Sequence, residues 1–277
     1  MGLRINTNVA SLSAQRALGM TKMNLDSNLR KLSSGERITR AGDDAAGLAI
    51  SEKLKANIRG LRQAKRNSDD GISLIQTAEG AINEISNIVI RLRELSIQAA
   101  SDTVGEQERG FSNIEFKNLL DEVQRISESS EFNGRKLLNG QGGSVEIQVG
   151  IHNDPTNDRI RYEAELTDTT LASLGIAAES IASKEGAQMS LSKLDDALMR
   201  INGTRANLGA LQNRLQSVSN SIAIADENLS AANSRIRDVD VASETADMTK
   251  NNILAQAGVS VLSQANQTPN FALKLLG

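Results

Sequence analysis

Apolar residues at helical spacing dominate this chain and restrict what it can fold into. Ile75, Ala78, Ile82, Ile85, Val89, Leu92 and Ala99 recur at steps of three and four, with one step of seven. Far downstream Leu194, Leu198, Ile201, Leu208, Leu211, Leu215, Val218, Ile222, Ala225, Leu229, Ala232 and Ile236 keep the same rhythm. Apolar side chains spaced by 3.5 residues on average stay on one slowly supercoiling line, so each stripe needs a partner helix. The only clear strand signal lies between the two stripes. The expectation is a mainly α chain, a long coiled-coil-like helical bundle whose N- and C-terminal segments pair, with a small β-hairpin region. Such a rod suits assembly better than catalysis in a pocket.

Between residues 5 and 33 the apolar positions Ile5, Val9, Leu12, Leu18, Leu25, Leu29 and Leu32 predict a first helix, interrupted at Ser33-Ser34-Gly35. Gly42-Asp43-Asp44 precedes a proline-free stretch to about Ala100, with acidic residues where a helix start prefers them. A helix of that length spans roughly 80 Å, and Gly60, Gly71 and Gly80 are candidate bends. A shorter helix is predicted near 106–129, with Phe116, Leu120 and Val123 on one face. Asn133-Gly134 and Asn139-Gly140 are turn dipeptides. Val145, Ile147, Val149 and Ile151, then Ile160, Tyr162, Ala164 and Leu166, alternate with polar residues and predict a hairpin over about 144–166. The second long helix covers about 187–236, and the last 40 residues are again amphipathic. Three segments follow: 1–42 and 237–277 as the two halves of an inner terminal coiled-coil domain, and 43–236 as an outer helical bundle carrying the hairpin.

Composition narrows the chemistry. Four Phe, one Tyr and no Trp leave little with which to line a ligand pocket. Without cysteine there is neither a disulfide nor a thiol nucleophile. The single histidine, His152, lacks the companions that a transition-metal site needs and reads as a turn residue. Asp43-Asp44 reads as a capping pair, and no HExxH, GxSxG or SxxK arrangement is present. Gly140, Gly142 and Gly143 precede a strand rather than a helix, which argues against a phosphate loop. Three Asn-x-Ser/Thr triplets fall in predicted helices and read as chance matches. No catalytic, cofactor or metal site is expected, and a net charge of −3 gives no reason to expect nucleic acid. Residues 1–66 nevertheless carry 13 Lys and Arg against 5 Asp and Glu, so the remainder is acidic. No apolar run reaches the roughly 20 residues of a membrane span. The N-terminus has no cleavable secretory signal, which by itself would suggest the cytoplasm.

Motif text alters that last reading. Ile5-Asn6-Thr7-Asn8, Ser11-Leu12-Ser13-Ala14-Gln15-Arg16, Leu32-Ser33-Ser34-Gly35, the block from Ala41 to Ser51, Asp70-Gly71-Ile72-Ser73 through Gly80, Arg93-Glu94-Leu95 and Glu131-Phe132-Asn133-Gly134 resemble the N-terminal half of bacterial flagellins. Leu208-Gly209-Ala210-Leu211-Gln212-Asn213-Arg214-Leu215, Ser234-Arg235-Ile236-Arg237-Asp238, Gln256-Ala257-Gly258 and Gln264-Ala265-Asn266-Gln267 resemble the C-terminal half. The resemblance covers about 1–140 and 190–277 and lacks the family's outer variable domains. Glu36 stands where the family usually has an apolar residue, and Gly277 where it usually has Arg.

The resemblance implies a secreted structural subunit of the extracellular flagellar filament, exported through the flagellar type III channel, and not an enzyme. A hook–filament junction protein is the alternative. Implied partners are further copies of the chain, an export chaperone at the C-terminal segment, the filament cap and junction proteins, and a vertebrate innate flagellin receptor. Arg91, Leu95, Gln98 and Glu115 match the family's receptor patch, and the first three are spaced for one helix face. Leu12, Leu18, Leu25 and Leu29 are expected to pack with Leu254, Val261 and Leu262 in the terminal coil. Each terminal segment lacks a core of its own and cannot offset an ordering entropy of roughly 1–2 kcal/mol per residue, so both are expected to be disordered before assembly.

Overall fold

The computed structural model describes residues 7–274, with side chains to 267. Ile5 and Asn6 of the first motif, and Gly277, lie outside the described residues. Six α-helices follow one another: α1 (Val9–Ser34), α2 (Ala45–Ala99), α3 (Glu106–Ser129), the short α4 (Leu171–Leu174), α5 (Lys184–Arg237) and α6 (Val241–Lys274). Between α3 and α4 lie two antiparallel strand pairs, β1 (Glu131–Phe132) with β2 (Arg135–Lys136) and β3 (Ser144–Gln148) with β4 (Arg159–Glu163).

The chain packs as two units, 57–227 and, from its two ends, 1–56 with 228–277. The break anticipated at 42/43 falls in the connector between α1 and α2, and that at 236/237 falls at the last residue of α5. The packing division instead falls inside α2 and α5, because the first turns of α2 and the last of α5 pack with the terminal segments.

Unit 57–227 has a continuous aliphatic core. Ile75, Ala78, Ile82, Ile85, Val89, Leu92 and Ala99 of α2 are all fully buried, together with Phe116 and Val123 of α3 and Leu194, Ala197, Ile201 and Leu215 of α5. The first stripe and the part of the second from Leu194 to Val218 are thus two sides of one core, and α3 supplies its third. The hairpin adds Ile147, Val149, Ile160 and Tyr162 on its inner face, in register Ile147 opposite Ile160 and Val145 opposite Tyr162. The alternation stops earlier than the sequence pattern suggests. Residues 164–167 form a 3-10 turn, which buries Ala164 and leaves Leu166 67% exposed.

Two expectations change physically. α2 runs unbroken past Gly60, Gly71 and Gly80. Gly60 and Gly71 serve close approach: a Cβ on Gly60 would lie 2.9 Å from Ile151 Cγ2, and one on Gly71 would lie 2.6 Å from Ile147 Cδ1. The hairpin therefore seats on α2 where side chains are missing. Asn133-Gly134 makes more than a turn, since φ of 49° and 76° at these residues closes the two-residue β1–β2 hairpin.

The acidic pair before α2 divides its work. Asp44 Oδ1 accepts from the Gly47 backbone N–H at 2.8 Å and caps the helix. Asp43 Oδ2 accepts from Thr39 N–H, Thr39 Oγ1–H and Arg40 N–H, closing the turn ahead of it. The Thr39 hydroxyl, chiefly, holds the Asp43 carboxyl below its ordinary value.

Candidate assembly surface

α1 and α6 pack antiparallel in unit 1–56/228–277, and their seam differs from the leucine pattern. The half-buried or buried positions of α1 include Ser11, Ala14, Leu18, Thr21, Leu25, Asn28 and Leu32; those of α6 include Glu244, Met248, Asn251, Ala255, Gly258, Leu262 and Ala265. Both sets alternate steps of three and four, the spacing of a coiled-coil seam. Nine of these fourteen residues are small or polar. Among the described residues of the two helices only Asn28 is buried, at 7% exposure.

The predicted assembly residues separate into two groups. Leu18, Leu25 and Leu262 lie in the seam. Leu12, Leu29, Leu254 and Val261 do not join them: each is about half exposed, on the outer side of its helix. Val9, Met20, Met23, Val241, Ile253 and Val259 are exposed likewise. The sequence stripe mixed these two faces because Leu12 and Leu29 sit one position off the seam residues Ser11 and Asn28. Soluble monomers seldom leave so many large apolar side chains outward on adjacent elements, and such surfaces mark protein contacts.

At the root of the pair, Arg237 at the end of α5 holds Glu36 through Nε to Oε1 at 2.9 Å and Nη2 to Oε2 at 3.1 Å. It also pairs with Glu52 on α2, and the hydrogen bond to Glu52 first, then that to Glu36, raises the guanidinium pKa further. Beside them the Arg37 N–H donates to Arg237 O at 2.6 Å and the Val239 N–H to Gly35 O at 3.0 Å. Gly35, at φ 72°, terminates α1 and turns the chain into this bridge. No motif announced the Arg237–Glu36 pair; its two halves lie 201 residues apart.

The second predicted site lies in unit 57–227. Arg91 donates from Nε and Nη2 to Glu115 Oε1 at 3.1 and 3.0 Å, and from Nη1 to Glu94 at 3.0 Å. The structure thus brings Arg91 and Glu115 together across α2 and α3, with Gln98 exposed on the same face. Leu95 does not share that surface. It is 2% exposed, inside the core, because its position on the helix is turned inward from Arg91 and Gln98. The apolar part of this face is instead Ile90, Ile97, Phe111 and Ile114, all 45% exposed or more.

A groove of about 380 Å³ lies beside α2, lined by Leu74, Phe132, Val145 and Ile147 with Asp70, Arg135 and Glu146. It contains no paired nucleophile and base. His152 sits by the hairpin turn with its backbone carbonyl accepting from Gln148. Among the described residues no group of His, Asp and Glu is arranged to hold a metal, and no helix is long and apolar enough to cross a membrane.

The chain matches the bacterial flagellin N-terminal helical region over residues 5–142 and the bacterial flagellin C-terminal helical region over 191–276. It is 46% identical to a flagellin of Halalkalibacterium halodurans, over 98% of this chain and 99% of the relative. It is 44% identical to the flagellar filament 30.7 kDa core protein of Treponema maltophilum, again over 98% and 99%, and 41% identical to Bacillus subtilis flagellin over 99% and 100%. Its structure is similar to the crystal structure of Bacillus cereus flagellin, with a TM-score of 0.51 at 32% identity, covering 57% of this chain and 88% of that one.

Proposed function

This chain belongs to the bacterial flagellin family and is a structural subunit of the extracellular flagellar filament, and from that premise we propose how its terminal pair works. The α1–α6 pair is an unfinished element that completes its burial only against neighbouring subunits. One observation carries this reading: among the described residues of two helices of 26 and 34 residues a single side chain, Asn28, is buried, while Leu12, Leu29, Leu254 and Val261 face outward. Contacts repeated head to tail from such faces generate an open helical polymer.

In the lone subunit the terminal segments are then largely unfolded, because the seam offers too little apolar burial to offset their ordering entropy. That state suits passage through a narrow flagellar type III channel. It also leaves the amphipathic C-terminal segment available to a groove-binding export chaperone. Filament-cap and hook–filament junction proteins would meet the same termini at the filament ends. The relatives that match along their full length include flagellins and a filament core protein, so a junction role for this chain itself has no support.

The test is polymerisation. Replacing Leu254 and Val261 together by Ser should leave unit 57–227 folded and abolish or strongly retard filament growth seen by light scattering and electron microscopy. Filaments growing at the parent rate would overturn the reading. For the innate receptor, the exposed Arg91–Glu115 pair flanked by Ile97 and Ile114 supports recognition at this face. Monomer carrying Arg91→Ala and Glu115→Ala should lose potency on receptor-bearing cells, and unchanged potency would exclude the patch. Leu95 is left out of that test because its replacement would open a cavity in the core.

A further inference from the structure

We infer that the register of the α1–α6 pair is set by polar pins and not by its apolar seam. The leucines of α1 that enter the seam, Leu18, Leu25 and Leu32, are spaced by seven. In the observed register Leu18 packs against Gly258, where an added Cβ would lie 3.3 Å from its Cδ1. Sliding one helix by a heptad, about 10.5 Å, would bring Leu25 to Gly258 and Leu18 to Ala265, only one methyl larger than Gly258. The apolar match would be nearly unchanged, so it cannot choose between the two registers.

The polar contacts can. Oriented to satisfy both of its groups, the Asn28 side chain donates to Asn24 O at 2.7 Å and accepts from the Met248 backbone N–H at 3.0 Å, across the seam. After the slide Asn28 would face Ala255 and lose that cross-seam partner in a buried position. Lys31 would leave Glu244, now 3.5 Å away. At the far end, Asn8 Nδ2 would lose Ala265 O at 2.8 Å and Ser11 Oγ would lose Asn266 Oδ1 at 2.7 Å. At the root the Arg237–Glu36 pair ties the connector after α1 to the connector before α6, so the two helices start level. A buried polar residue at a seam position weakens a coil while fixing its register, and the single buried residue among the described residues of this pair is of that kind.

One register presents one arrangement of Leu12, Leu29, Leu254 and Val261 to neighbouring subunits. That consequence rests on the assembly reading above; the register itself does not.

The cysteine-free sequence makes a clean test. Leu18→Cys with Gly258→Cys reports the observed register, since the two Cβ atoms would be 3.8 Å apart, ordinary disulfide spacing. Leu25→Cys with Gly258→Cys reports the register slipped by one heptad. In oxidised filaments of the otherwise unchanged chain, the first pair should bridge within one subunit and the second at less than about a tenth of that yield. In an Asn8→Ala, Ser11→Ala, Asn28→Leu, Lys31→Met, Glu36→Gln background, which removes every side-chain pin named above, the two yields should become comparable. Bridging confined to the first pair in that background would overturn the inference. If the background does not polymerise, the ratio of the two yields in the soluble chain decides it by the same criterion. A pin that only stabilised the pair would leave that ratio unmoved, because Asn28→Leu adds apolar burial. Normal filaments built from chains of mixed register would count against the assembly role of the outward faces and leave the register result standing.

Discussion

Single side chains settle several boundaries of this protein. Arg109 is 8% exposed, yet its Nε donates to Ala99 O and its Nη2 to Ser101 O, both at 2.8 Å. A cation at the C-terminal end of α2 satisfies carbonyls that the helix itself cannot. Arg109→Met should cost about 1–3 kcal/mol by orphaning those groups, read as a lowered denaturant midpoint for unit 57–227. Asp43 makes a pH prediction. Its carboxyl titrates below its ordinary value of 3.8, first because of the Thr39 hydroxyl. A lowered carboxylate adds stability that is present above the ordinary value and is lost as pH falls through the lowered one. Thr39→Val should therefore raise the Asp43 titration towards the ordinary value, followed by carboxyl NMR, and move acid disassembly of filaments to higher pH.

Elements, in turn, obey space more than propensity. Glycine inside a helix ordinarily costs about 0.5–1 kcal/mol relative to Ala. Gly80 has nothing near its missing Cβ, so Gly80→Ala should stabilise the protein by roughly that amount. At Gly71 the added methyl meets Ile147 Cδ1 at 2.6 Å and Leu215 Cδ1 at 3.3 Å. Overpacking costs typically about 1–3 kcal/mol, which outweighs the helical gain. Gly71→Ala should thus destabilise, and urea unfolding of the two variants should shift in opposite directions. Equal shifts of one sign would mean that the hairpin seat yields freely.

At the scale of the whole chain the two units differ in kind. Unit 57–227 contains the continuous core, including Ile75, Phe116 and Ile201. The terminal unit is held by a sparse seam, a root clasp and a buried turn residue, Ile38 at 1% exposure. Removing residues 237–277 should leave a cooperative unfolding transition with a midpoint close to that of the full chain, and no filaments. In the intact monomer, backbone amides of 57–227 should exchange slowly and those of α1 and α6 fast. Strong protection of α1 and α6 in the monomer would sink the proposal that they fold on assembly.

Periodicity, with breaker and capping residues marking the ends, placed α1, α2, α3, α5 and the 144–166 hairpin to within a few residues, and marked the segment of α6 as amphipathic. It did so because a buried stripe must recur at the pitch of its own backbone, which is a local rule. The flagellin likeness was legible in blocks such as Ala41 to Ser51 for the same reason, being carried by contiguous residues. What a leucine faces is not a local property. Whether Leu12 or Ser11 entered the seam, and whether Leu95 or Ile97 reached the surface, depended on a rotation of one or two positions about a helix axis, set by packing against a partner far along the chain. The Glu36–Arg237 clasp and the glycine seats for Ile147 and Ile151 have the same origin. They join residues that only the folded chain makes neighbours, and no spacing in the sequence records them.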